Sequence, residues 1–124
     1  MHYDKLPIFK SAMDLVVYTE SIVKNFGKYH RYTMGEELRN RARDILFGIQ
    51  KANMSRDKSQ ELIALRDACE AFKMTVAIAQ EIKAFNSFKQ FENSSRLSYA
   101  VCRQAQAWLN SQNRSKSNHA RVSA

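Results

Sequence analysis

The chain has 124 residues, 44% of them apolar, with three glycines, one proline, two cysteines and a formal net charge of +8. That length suits one domain with a core sufficient without metal or disulfide staples, and the scarcity of turn residues favours helices over a strand-rich sandwich, so an all-α protein is expected. No apolar run approaches the ~18 residues of a spanning helix and no hydrophobic leader follows Met1, so a soluble, cytoplasmic protein is expected.

From Ile8 to Phe26, the residues Ile8, Ala12, Leu15, Thr19, Ile22 and Phe26 alternate spacings of four and three, the seam of a helix packed in a bundle. Pro7 sits where such a helix can begin. Met13 and Val17 fall on the side away from Leu15, which suggests a second face that self-association would bury. Gly27 and the polar residues after it end the helix, with a loop expected from Lys28 to Tyr32.

Thr33 and Glu36 have capping-box spacing and open a second helix, with Met34, Leu38, Ala42, Ile45, Ile49 and Ala52 as its core stripe and an end near Asn53. A third begins after Asp57. Its stripe is Leu62, Leu65, Cys69, Phe72, Val76 and Ala79, and an end near Phe85 makes it about 27 residues, roughly 40 Å at 1.5 Å per residue. Such a length suits a bundle better than a small globule.

Ser87 with Gln90 repeats the capping-box spacing before a fourth helix, whose inward residues read as Phe91, Leu97, Val101, Ala105 and Trp108. Short loops between long helices imply antiparallel neighbours, hence an antiparallel up-down four-helix bundle over residues 1–110. Residues 111–124 hold one large apolar side chain, Val122, and are expected to form a flexible basic tail that cannot offset its ordering entropy by burial.

Sites for catalysis or metal are not apparent. His2, His30 and His119 lie in a terminus, a loop and the tail, no Glu-x-x-His occurs, and Gly27, Gly35 and Gly48 form no phosphate loop. Cys69 and Cys102 lack metal-type spacing and read as reduced core thiols. A non-enzymatic protein with no cofactor is the expectation.

The charge is regional. Residues 24–58 hold nine Lys or Arg against four acids, and residues 89–124 hold six against one. Two concentrations of positive charge suit a polyanion, with nucleic acid the first candidate and an anionic membrane surface its rival. On a wheel with Leu38 at zero, Arg39, Arg43, Phe47 and Lys51 fall at about 100°, 140°, 180° and 220°, so this row flanks or opposes the core stripe. Basic residues interleaved with an aromatic suit a single strand, where phosphates meet cations and a base stacks on a ring. A solvated face or an oligomer contact is the alternative. Lys28, Tyr29, His30, Arg31 and Tyr32 add a basic aromatic cluster beside the helix start, although either tyrosine alone more commonly packs across a bundle mouth with its hydroxyl wet.

The stretch from Phe26 to Asn53 resembles the Avd-like proteins, the accessory variability determinants of diversity-generating retroelements. The likeness rests on Lys28, Tyr29, His30, Arg31, Tyr32, Thr33, Met34, Gly35, Glu36 and Leu38, then Lys51, Ala52 and Asn53. It extends more loosely from Leu6 to Leu109, and wider relatives are the four-helix proteins of 23S ribosomal RNA intervening sequences. The resemblance implies a four-helix bundle assembled as a homopentameric barrel. It also implies a non-enzymatic role, binding a reverse transcriptase and template-repeat RNA or cDNA so that a mutagenised copy can be made. Carried over by position, Lys28, His30, Arg31, Arg39, Arg41 and Arg43 become candidate RNA or polymerase contacts. Phe72 to Ala79 departs from the arginine-containing run usual in that family, and Gln106-Ala107-Trp108-Leu109 replaces its frequent Gly-Gly-Trp-Leu ending. The intervening-sequence relatives imply the alternative role of self-assembly or protein contact.

Overall fold

The computed structural model describes residues 6–123, and the side chains of 6–118. In chain order the helices are α1 (Pro7–Val23), α2 (Lys28–Arg31), α3 (Met34–Met54), α4 (Ser59–Glu81) and α5 (Phe88–Ser123), with no strand among the described residues. The four long helices close a ring in which α1 packs on α3 and α5, and α4 packs on the same two from the other side. The fold is therefore an all-α bundle of four helices. None of them is long and apolar enough to cross a membrane.

Every stripe residue assigned to the first three long helices is buried, from Ile8 to Phe26 and from Met34 to Ala79. The cause is ordinary amphipathicity: a spacing of three and four keeps apolar side chains on one sector, and facing sectors bury one another. The inward face of α5 differs from the expectation. Val101 and Ala105 are buried, but so are Ser94, Ser98, Cys102 and Leu109, while Phe91, Leu97 and Trp108 are only half-buried beside them. Small side chains let α5 approach its neighbours closely, and the Ser98 hydroxyl meets its hydrogen-bonding need by donating to the Ser95 carbonyl at 3.0 Å. The larger side chains then seal the flanks.

Helix α4 stops at Glu81, short of the expected Phe85. Lys83 adopts φ 62°, and the Ala84 and Lys83 amides donate to the Ala79 and Gln80 carbonyls at 2.9 and 3.1 Å. These two bonds form a Schellman closure with lysine in the left-handed position usually given to glycine. Apolar periodicity runs past the helix end because the turn drops Ala84 and Phe85 into the core, where Phe85 meets Phe26 edge-on at 5.8 Å. The α3 end is closed differently: the Lys58 ammonium donates to the carbonyls of Ala52, Asn53 and Ser55 at 2.9 to 3.1 Å, a cation at the negative pole of the helix.

Neither capping box forms as a reciprocal pair. Thr33 is the N-cap residue of α3, but its hydroxyl donates to the Tyr29 carbonyl at 2.8 Å, and no side chain caps that end. The α2 turn supplies this nearer acceptor. At the start of α5, Ser87 does accept from the Gln90 amide at 3.2 Å, whereas the Gln90 side chain accepts from Asn86 at 2.9 Å.

Helix α5 continues beyond Asn110, through the segment read as a tail. SQNRSKSNHARVSA contains no glycine or proline to stop propagation, and Lys116 lies 3.1 Å from Asp57 in the α3–α4 connection. Its described side chains are exposed apart from a half-buried Gln112. His2 and the side chain of His119 lie outside the described residues. Cys69 and Cys102 are both buried free thiols. Hydrogen bonding to Cys102, together with burial, pushes the Cys69 thiol far above its ordinary range, so it stays neutral.

Candidate nucleic-acid interface

The expected loop after Gly27 is a single helical turn, α2, stacked on the start of α3. Gly35 makes this approach possible, because a Cβ there would lie 2.7 Å from Val23 Cγ1 and 3.0 Å from the His30 carbonyl oxygen. Docking α2 this way turns Lys28, Tyr29 and Tyr32 outward. Tyr29 is 76% exposed and Tyr32 68%, so neither packs across the bundle mouth. The Tyr29 ring meets the His30 imidazole edge-on at 5.2 Å.

Arg31 anchors the turn. Its Nη2 donates to the Phe26 carbonyl at 3.3 Å, and its guanidinium carbon lies 5.9 Å from the Tyr32 ring centroid. Its Nε is closed off from solvent without a protein acceptor, as is His30 Nδ1 without a partner. Beside this group opens a cavity of about 280 Å³, walled by Glu20, Lys24, Arg31, Tyr32, Glu36 and Arg39 among others. Its lining has three cations and two carboxylates around one aromatic face.

The α3 arginines are positioned by carboxylates. Arg39 Nε donates to both oxygens of Glu20 on α1, at 3.0 and 2.9 Å, while its Nη1 reaches Glu36 at 3.0 Å. Arg43 Nη2 donates to the same Glu20 at 2.6 Å. Arg41, on the opposite flank of the core stripe, pairs with Glu37 at 3.1 Å. The hydrogen bond to Glu20 raises the Arg39 pKa above its ordinary value, with the Glu20 and Glu36 charges acting in the same direction. Three arginines therefore face three carboxylates, and the local field of this row is close to neutral. Lys51 lies 3.7 Å from Glu61, and Phe47 is 61% exposed, as the wheel requires.

The structure thus brings Lys28, Tyr29, His30, Arg31 and Tyr32 together at one end of the bundle, with Arg39 at the edge of the adjoining cavity. Arg43 sits against α1, Arg41 lies on the other side of α3, and Phe47 and Lys51 are farther along that helix. Sequence reasoning missed Glu20. The Glu36–Arg39 and Glu37–Arg41 spacings are legible as helical pairs, but a partner on another helix leaves no local spacing. Among the described residues no three His, Cys, Asp or Glu side chains gather where they could hold a metal ion. No protein-family model matches the chain, and no curated protein matches it.

Proposed function

We propose that this chain is a non-enzymatic accessory protein of a diversity-generating retroelement, acting in the bacterial cytoplasm with the reverse transcriptase and template-repeat RNA in mutagenic cDNA synthesis. The observation that carries the reading is the residue-level likeness of Lys28–Asn53 to Avd-like proteins. Exposed Tyr29 and Tyr32 beside Lys28 and Arg31 supply stacking faces next to cations, which a single strand requires. The α1–α5 contacts support an up-down arrangement: Ser11 meets Gln104, and Tyr18, later in α1, meets Asn93, earlier in α5. Exposed Met13 and Val17 on α1 give a face for self-association, which in this reading closes a homopentamer and multiplies the RNA contacts.

The alternative, a four-helix protein of the intervening-sequence group acting in self-assembly or protein contact, is favoured by one observation: Arg39, Arg41 and Arg43 are already neutralised. Purified protein mixed with the reverse transcriptase encoded beside it and the repeat RNA separates the two. A complex of defined mass and cDNA made only in the presence of this chain are the expected results. With about six phosphates engaged, log K should fall with log salt at a slope near −4. A defined oligomer that ignores both partners would replace this reading with the alternative.

A further inference from the structure

With the paired charges set aside, free cations collect along one side of α5. Lys89, Arg96 and Arg103 recur every seven residues, so each returns to within about 20° of the last, and Arg114 falls in the same sector eleven residues later. All four are exposed, and none has a carboxylate partner among the described residues. Glu92 is the one acid that α5 itself places near this sector, and Glu70 of α4, paired with Lys73, borders it near Arg103. The row from Lys89 to Arg114 spans roughly 38 Å at 1.5 Å per residue.

An aromatic stands inside it. Tyr99, between Arg96 and Arg103, is 61% exposed and forms a wall of two adjoining grooves on the α4–α5 seam. One groove, of about 280 Å³, is lined by Lys73, Val76, Ser95, Ser98 and Tyr99; the other, of about 240 Å³, brings Arg103 to the same ring together with Lys73, which is paired with Glu70 at 3.2 Å. The unpaired Arg96 and Arg103, before and after an open aromatic face along the helix, provide what an unpaired nucleotide needs: charge for its phosphates and a ring for its base.

We propose that this row on α5, centred on Tyr99, is the track along which the protein holds single-stranded nucleic acid. The proposal deepens the nucleic-acid part of the function above and rests on it, but moves the main contact from α3 to α5. A duplex fits less well, since its bases are stacked away from a protein ring. An anionic bilayer also fits less well. A helix lying in a membrane interface needs a free apolar face, and that face of α5, with Val101, Ala105 and Leu109, is spent inside the bundle.

The test measures affinity of the full chain for a labelled oligouridylate over a series of salt concentrations. The variants are Lys89→Gln/Arg96→Gln/Arg103→Gln, Arg39→Gln/Arg43→Gln and Tyr99→Leu, with Lys89→Arg/Arg96→Lys/Arg103→Lys as the charge-preserving control and helical circular dichroism to verify folding. Removal of three cations should flatten the log–log salt slope by about 2, so that the wild-type advantage falls roughly 20-fold between 50 and 200 mM salt. Tyr99→Leu should weaken binding about 5-fold or more with the slope unchanged. The charge-preserving control should keep the wild-type slope, and the α3 pair should move the slope less than the α5 triple. A wild-type protein that binds the strand, with an α5 triple variant that matches it in affinity and slope, overturns the α5 track alone. A wild-type protein with no affinity for the strand at any salt overturns the nucleic-acid reading itself. Loss of binding to phosphatidylserine vesicles or to polyglutamate in the triple variant, without any strand binding in the wild type, would reassign the row to a membrane or an acidic protein.

Discussion

Residues 24–58 and 89–124 each carry five more cations than acids, yet they offer that charge in opposite ways. On α3, Arg39, Arg41 and Arg43 are held by Glu20, Glu36 and Glu37; on α5, Lys89, Arg96 and Arg103 stand with no carboxylate partner among the described residues. A guanidinium fixed by a carboxylate at about 3 Å contributes little field beyond its pair, whereas an unpaired cation attracts phosphate over a Debye length, ~10 Å at 0.1 M salt. Arg39 and Arg43 join α3 to α1, Arg41 pairs within α3, and the α5 cations remain available to a ligand. Net charge over a segment therefore counts ions without revealing which are already used.

The largest expected effect breaks the first region while leaving the second intact. Gly35→Leu forces a side chain into Val23 and the His30 carbonyl, so α2 must lift off α3. It should cost about 2–3 kcal/mol in urea unfolding and disorder the Lys28–Tyr32 cluster, while the α5 row keeps its strand affinity. Equal loss of binding in a folded Gly35→Leu protein would show that the α2 cluster carries the contact after all.

Between the two regions lies Lys83, in the left-handed turn that directs the chain from α4 to α5. Lys83→Gly should raise stability by about 0.5–1 kcal/mol in thermal or urea melts, since glycine takes φ near +60° without steric cost. A destabilised variant would mean that the lysine side chain makes a contribution larger than its backbone strain.

Glu20→Gln makes the first region resemble the second. It releases Arg39 and Arg43 from their shared carboxylate, at a cost below about 1 kcal/mol because the groups are partly solvent-screened. Arg39 keeps Glu36, so Arg43 alone is left without a carboxylate, and if it reaches phosphate the salt slope for a single strand should steepen by about 0.7. No change in slope would show that the α1–α3 face makes no phosphate contact even when its carboxylate is removed.

The smallest effect concerns the far part of α5. Asp57 is held below its ordinary pKa by the Ser59 amide and, second, by Lys116. Because the folded value is depressed, its contribution to stability is complete above the unfolded value of about 3.9 and is lost as pH falls through the folded one. Lys116→Gln should move the Asp57 titration, read by carboxyl NMR, partway back toward the ordinary value. An unchanged titration would show that residues beyond Asn110 do not hold the α3–α4 connection in solution.

Much of the fold is legible because burial and periodicity are local. Ile8, Leu38, Leu65 and their stripe partners recur at helical spacing, and all are buried. The α5 interior differs from its expected stripe at Ser94 and Ser98, because small side chains carry a weak apolar signal, yet close packing between helices selects them. The α2 turn was read as a loop because four residues hold too little periodicity, and its formation depends on Gly35 six residues past the Tyr29 ring it helps expose. The basic-aromatic cluster at Lys28–Tyr32 was visible as composition; its exposure was not. The seven-residue recurrence of Lys89, Arg96 and Arg103 was present in the chain, but its meaning rested on knowing which cations elsewhere had partners.

The sequence by itself determined an all-helical bundle, the stripes of its first three long helices, and two concentrations of positive charge, since each follows from residue type and near-neighbour spacing. Only the tertiary structure decided which of those charges remain free. Glu20 lies nineteen positions before Arg39 and twenty-three before Arg43, and bonds between helices arise when packing brings distant carboxylates and guanidiniums within about 3 Å.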